Sequence, residues 1–268
     1  MDLEILGKKA KTSSTKSPLL FVHGAYVGAW CWEEHFLDWF AQHGYDAHAV
    51  SLRGHGKSAG RDHLDDFGLA DYAEDVARAA AGLPRPPVLI GHSMGALVVQ
   101  KHLEKSKDVQ YVPAMVLACP VPSYGLLPST LSLAFTKPAL FTGLNTVANG
   151  GRASPEVLGE LLFAGTPEPA RLERCYRRMQ RESRRALLDM SGWSLTMPWL
   201  ALGKSRTPTL VLGAMHDALI PASQAQGVAA LLNAEYRLLP DIGHAIMLDA
   251  CWESAAREIL GWLEARKP

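Results

Sequence analysis

Short apolar runs alternate with longer, helically spaced patterns along most of the chain. Pro18 to His23 reads as a buried strand ending at Gly24; Asp46 to Leu52, Pro87 to Ile90 and Met115 to Cys119 follow, the last bounded by Pro120. Between them the apolar spacing predicts helices around Trp30 to His43, Leu69 to Ala81 and Ala96 to Lys105. The rhythm resumes with strands at Thr209 to Gly213 and Tyr236 to Leu239, and a last helix runs from Cys251 to Ala265. Continuous apolar strands separated by helices predict an α/β fold, a mostly parallel sheet covered by helices on both faces.

Residues Val121 to Lys204 break this rhythm: the stretch has no convincing strand and is rich in helical pattern, Pro and Gly. It reads as a helical cap at 121–204, inserted into a core domain formed by 1–120 and 205–268. Arg171, Arg174, Arg178, Arg181 and Arg185 step by three and four, which predicts one basic helical face. That face is either a solvated surface or an anion-binding or membrane-surface patch. Leu172, Tyr176, Met179, Ala186, Leu187 and Met190 fall on the other side and must cover something.

Composition narrows the classes. The 268 residues carry 27 Lys+Arg against 27 Asp+Glu, and this balance argues against nucleic-acid binding, which usually requires a concentrated basic surface. The most apolar stretch, Leu126 to Val147, is interrupted by Lys137-Pro138 and diluted by Ser, Thr and Gly, so no membrane span is expected. Met1 to Pro18 lacks the apolar segment of a secretory signal. Cys31, Cys119, Cys175 and Cys251 form no paired motif and read as free thiols of a cytoplasmic protein.

The chemistry enters at Gly91-His-Ser-Met-Gly95, a G-x-S-x-G between a predicted strand and a predicted helix. In that setting a sharp turn thrusts the Ser93 hydroxyl out at the carboxyl end of the sheet. Serine attacks a carbonyl well only when a base takes its proton, and the base should be a His oriented by a carboxylate. His244 lies in a loop just after the last predicted strand, and Asp217 just after the strand ending at Gly213. All three sit where open α/β sheets place their sites. His92, His216, His23, Asp241 and Asp249 have structural readings, and His43, His48, His55, His63 and His102 show no metal-ligand spacing. An oxyanion needs two N–H donors; Met94 supplies one, and Ala25, after the tight turn at Gly24, supplies the other, with Tyr26 next in line.

Together, His23-Gly24 with Gly28-Ala-Trp30, Arg53-Gly-His-Gly-Lys-Ser58, the Gly91 to Gly95 turn, Asp217 and Gly243-His244 resemble the α/β-hydrolase superfamily over nearly the whole chain. The resemblance implies an esterase- or lipase-like serine hydrolase that forms an acyl-enzyme on Ser93, with no metal and no organic cofactor. The nucleophile position holds Ser93 rather than the Asp of haloalkane dehalogenases and epoxide hydrolases. Gly24 and Ala245 depart from the hydroxynitrile lyase pattern. C–C bond hydrolases, thioesterases, lactonases and cofactor-free haloperoxidases share the three residues and stay open, as does a ligand receptor built on the fold.

For substrate, the cap supplies Leu131, Leu133, Phe135, Leu140, Phe141, Trp193, Met197, Trp199 and Leu200. Either they line an apolar pocket for a small hydrophobic ester, with Tyr26, Trp193 and Trp199 touching it, or they form the cap's own core.

Overall fold

A computed structural model describes residues 1–11, 15–105, 111–193 and 207–266. Among these residues, seven strands form one sheet in the order β1-β3-β2-β4-β5-β6-β7. They are β1 (Ile5–Lys8), β2 (Leu19–Val22), β3 (Ala47–Val50), β4 (Val88–His92), β5 (Met115–Ala118), β6 (Thr209–Ala214) and β7 (Glu235–Leu239). All neighbours pair in parallel except β1, which runs antiparallel to β3.

The apolar runs become central strands because both faces of the sheet are covered. β2, β4 and β5 are buried at every position. Side chains alternate between faces. Leu19 and Phe21 join Trp32, Phe36, Phe40 and Trp262 on one side. Leu20 and Val22 join Tyr72, Val76, Val98 and Val99 on the other. The first layer is built by α1 (Trp30–Glu33), α2 (Phe36–Gln42) and α11 (Trp252–Arg266); the second by α3 (Leu69–Ala81), α4 (Met94–Lys105) and α10 (Ala222–Leu232).

Two expectations need correction here. The helix expected over Trp30 to His43 is two helices, broken at His35, whose backbone (φ −141°, ψ −50°) leaves the helical region. β1 was not foreseen at all: it is a mostly exposed edge strand containing Gly7 and Lys8, so it carries no apolar alternation.

Among the described residues, five helices lie between β5 and β6: α5 (Leu127–Thr136), α6 (Pro138–Ala148), α7 (Pro155–Leu162), α8 (Pro169–Arg178) and α9 (Arg184–Leu188), followed by a π turn at Asp189–Trp193. Proline in the first turn starts α5 to α8, and the Ser154 and Ser183 hydroxyls cap α7 and α9. Leu133, Leu140, Ala153, Leu158 and Leu161 give these helices a small core of their own.

The arginine stripe does not lie on one helix. α8 ends at Arg178, Met179 is extended (φ −66°, ψ 150°), and the chain runs to Ser183 before α9 begins. Nor is the stripe simply solvated. Arg178 pairs with Glu33 and Glu34 and covers the Trp30 ring at 4.6 Å. Arg181 pairs with Asp65 at 3.0 Å, and Arg185 donates to the Asp66 carbonyl. These contacts fasten the inserted helices to the sheet layer.

The strand order reverses at β2: from it the chain passes to β3 on one side and then to β4 on the other. The crevice beyond the carboxyl ends of β2 and β4 is therefore where a ligand site is expected. Among the described residues, no helix is long and apolar enough to cross a membrane.

Candidate active site

Ser93 sits directly between β4 and α4 with a left-handed backbone (φ +53°). That conformation is costly for a residue with a side chain and is held by its surroundings. The Ser93 N–H donates to Ala118 of β5 at 2.9 Å, and its carbonyl accepts from Ala96 and Val121. The flanking glycines are needed for close approach. A Cβ on Gly91 would come within 2.5 Å of the Gly95 carbonyl, and one on Gly95 would strike the carbonyls of Val22 and His23. Strand, turn and helix can meet only without those side chains.

Asp217 and His244 arrive from loops after β6 and β7. Asp217 Oδ1 accepts the N–H groups of Leu219 (2.8 Å) and Ile220 (2.7 Å), leaving Oδ2 to meet His244 Nδ1 at 2.7 Å. His244 Nε2 lies 3.0 Å from Ser93 Oγ. The three expected residues, remote in sequence, therefore form one hydrogen-bonded chain. With Nδ1–H given to the carboxylate, Nε2 faces the hydroxyl as an acceptor.

The supporting residues explain why the imidazole stays in place. His92 Nε2 donates to the His244 carbonyl at 2.8 Å, its ring packs 4.8 Å from the His244 ring, and burial pushes its pKa well down. Asp249 is buried and accepts from the N–H groups of Gly243, Ala164 and Cys251, tying the His244 loop to the end of α7. Asp241 and His216 are exposed. Cys119 is a contributor the sequence gave no sign of. It follows β5 with φ +45°, and its buried thiol lies beside the Asp217 carboxylate; burial, then the Asp217 charge, pushes its pKa well up. Cys119, Asp217 and His244 bring ligand atoms within 4.8 Å, but a metal there would have to displace the His–Asp bond.

Neither the Ala25 nor the Met94 N–H has a hydrogen-bond partner among the described residues. Tyr26, next in line as a donor, is not available: its N–H is given to Glu182 at 3.2 Å. His23 holds the start of this loop. Its Nδ1 donates to the Gly24 carbonyl (2.7 Å) and its Nε2 accepts from Leu52 N–H (3.0 Å). Burial and the neighbouring His55 lower its pKa to about 3, so the ring is neutral.

Ser93 and His244 border a cavity of 280 Å³ whose walls are overwhelmingly apolar. The inserted helices supply Leu126, Leu133, Leu144, Met179, Leu187 and Met190, and Tyr26 lies at the same wall. Of the apolar residues singled out in sequence, Leu133 serves both pocket and helical core, Leu140 and Phe141 only the core, and Leu131 and Phe135 are exposed. Trp199, Met197, Leu200 and the Trp193 side chain lie outside the described residues.

Comparison with known proteins agrees with this architecture. The sequence profile of the alpha/beta hydrolase family matches residues 19–257. The chain is 31% identical over 118 residues to esterase PIR7B of Oryza sativa subsp. japonica, a match covering 42% of each chain. It is 32% identical over 106 residues to a non-heme chloroperoxidase of Streptomyces lividans, covering 39% of this chain and 37% of that one. The chain thus spans about two fifths of the length of the curated relatives it matches. An esterase structure from Exiguobacterium antarcticum superposes with TM-score 0.74 at 16% identity, covering 98% of this chain and 95% of that one, a likeness of fold alone. With a profile match spanning six of the sheet's seven described strands, the Ser93 turn and the His244 loop, the chain belongs to the alpha/beta hydrolase family.

Proposed function

We propose that this protein is a carboxylic-ester hydrolase working through an acyl-enzyme on Ser93. One observation carries the reading: the continuous hydrogen-bonded relay from Asp217 through His244 to Ser93, whose hydroxyl end borders an apolar cavity.

In this mechanism His244 Nε2 takes the Ser93 proton as Oγ attacks the ester carbonyl carbon, and the carbonyl π electrons move onto oxygen. The Ala25 and Met94 N–H groups receive that oxyanion; each such donor is typically worth about 3 kcal/mol in the transition state. The protonated His244 gives its proton to the departing alcohol oxygen. It then activates water to release the acid, with Asp217 fixing the ring and its charge throughout.

The apolar walls favour a hydrophobic acyl or aromatic group, and the volume is at the small end of the usual range of about 300–1,000 Å³. Tyr26 would contact that group, and residues 121–204 would act as the cap over a core of 1–120 and 205–268.

The test is turnover of short and medium p-nitrophenyl esters by the wild-type protein and by Ser93→Ala. A loss of at least about 10⁴-fold in kcat/KM is expected for the variant. Equal turnover by the two proteins would sink the reading. The chloroperoxidase relative supports a second reading, a cofactor-free haloperoxidase using the same three residues. Bromination of an organic acceptor supplied with bromide, hydrogen peroxide and a carboxylic acid, outpacing ester hydrolysis, would favour it.

A further inference from the structure

Glu182 lies in the extended segment between α8 and α9, far from Ser93 in sequence, and yet it is buried. Four donors converge on its carboxylate. Tyr72 Oη and Ser183 N–H donate to Oε1 (3.0 and 2.8 Å), and His55 Nε2 and Tyr26 N–H donate to Oε2 (3.0 and 3.2 Å). Two donors on each oxygen suit an ionised carboxylate, which only accepts, and suit no other side chain of that shape. Burial opposes the charge, but His55 and the Ser183 and Tyr26 N–H groups outweigh it, so the carboxyl is held below its ordinary pKa.

The same segment holds the other side of Tyr26. Gln180 N–H donates to the Tyr26 carbonyl at 2.9 Å, so both backbone polar groups of Tyr26 are bonded to residues 180–182. Tyr26 needs such restraint, because its backbone is left-handed (φ +67°). The Gln180 side chain extends the clasp, accepting from Gly56 N–H and donating to the Gly54 carbonyl. The Arg53 to Ser58 loop is thus where this strap docks, and buried Asp75 holds the loop by accepting from Arg53 at 2.8–3.0 Å.

Tyr26 directly follows Ala25, whose N–H is the proposed oxyanion donor on the β2 side. The Tyr26 N–H belongs to the peptide plane that joins the two residues. We infer that Glu182 is a positioning residue: through the Tyr26 N–H it fixes the Ala25 loop, so that the oxyanion site is complete only when the inserted helices are docked. The inference rests on the Ser93 hydrolase reading, and its test separates the two.

The test uses the full chain with a p-nitrophenyl ester, comparing wild type, Ser93→Ala, Glu182→Gln, Glu182→Ala and Tyr72→Phe. An amide at residue 182 sets its NH₂ against two donors, so Glu182→Gln is expected to lose about 10- to 100-fold in kcat with KM within about threefold. Affinity for a trifluoromethyl ketone, which mimics the tetrahedral oxyanion, should fall by the same factor. Glu182→Ala should lose at least as much, and Tyr72→Phe, which removes a single donor, about two- to fivefold in kcat. A folded Glu182→Gln with kcat within twofold of wild type, or with its loss confined to KM, overturns the inference. If neither Glu182 variant folds, unchanged kcat in Tyr72→Phe overturns it. Absence of Ser93-dependent turnover in the wild type would count against the hydrolase reading itself, and Ser93-dependent turnover that the Glu182 substitutions leave unchanged would count against this inference alone.

Discussion

The sheet layer and the inserted helices hold together by different means. In the sheet, β2, β4 and β5 are sealed along their length, and Trp32, Trp262 and Tyr72 pack against it without exposure. In the insertion a small cluster around Leu133, Leu140 and Leu158 joins short helices, while Leu127, Leu131 and Phe135 of α5 stay in solvent. The insertion is fastened to the sheet layer by apolar contacts, with Phe163 and Cys175 in one large core and Ala186 and Met190 in the other, and by polar ones through Glu182, Gln180, Arg178 and Arg181. The sheet can therefore fix a relay to within hydrogen-bond tolerance, whereas the insertion lines the cavity with apolar side chains and is seated in part by polar contacts that are directional and individually weak.

The sharpest test of the sheet's part is Asp217→Asn. Oδ1 can keep its two N–H donors, but an amide facing His244 Nδ1 imposes the wrong tautomer, so kcat should fall by about 10³- to 10⁴-fold with the fold intact. Stability should divide the regions next. Leu117→Ala, in the middle of β5, is expected to cost about 2–5 kcal/mol in denaturant unfolding, and Leu140→Ala, in the small helical cluster, less. Equal costs would break the contrast.

The pH dependence comes third. His23 titrates at about 3 in the folded protein against 6.5 ordinarily, so the unfolded chain binds the extra proton between those values. Its contribution is whole above pH 6.5 and fades as pH falls towards 3, by at most about 1.4 kcal/mol per unit. His23→Asn should flatten that part of the unfolding profile. The smallest effect is expected for Arg178→Ala, whose half-exposed ion pairs are worth under about 1 kcal/mol and should weaken further in salt. A larger loss would mean that single polar contacts carry the docking.

The Ser93 turn was legible because its signals are local. The glycines at 91 and 95 stand where a Cβ cannot fit, and the run before Ser93 becomes a strand buried at every position. Asp217 and His244 were found by their place after predicted strands, which a parallel sheet brings to one edge. The arginine pattern misled, since three-and-four spacing continues through Met179 while the backbone does not. No Gly or Pro marks that break; Gln180 and Glu182 are drawn out by Tyr26, on a loop more than 150 residues away in sequence. β1 was missed for the opposite reason, as an exposed edge strand is made by backbone pairing to β3 and needs no apolar pattern.

The amino-acid sequence alone determined the layered α/β plan, the strained serine and the order of its partners, because apolar periodicity and steric exclusion at a turn act between near neighbours. Only the folded chain decided which carboxylate meets which donor. Glu182, Cys119 and Asp249 resemble many other polar positions until burial removes water and leaves each a single set of partners.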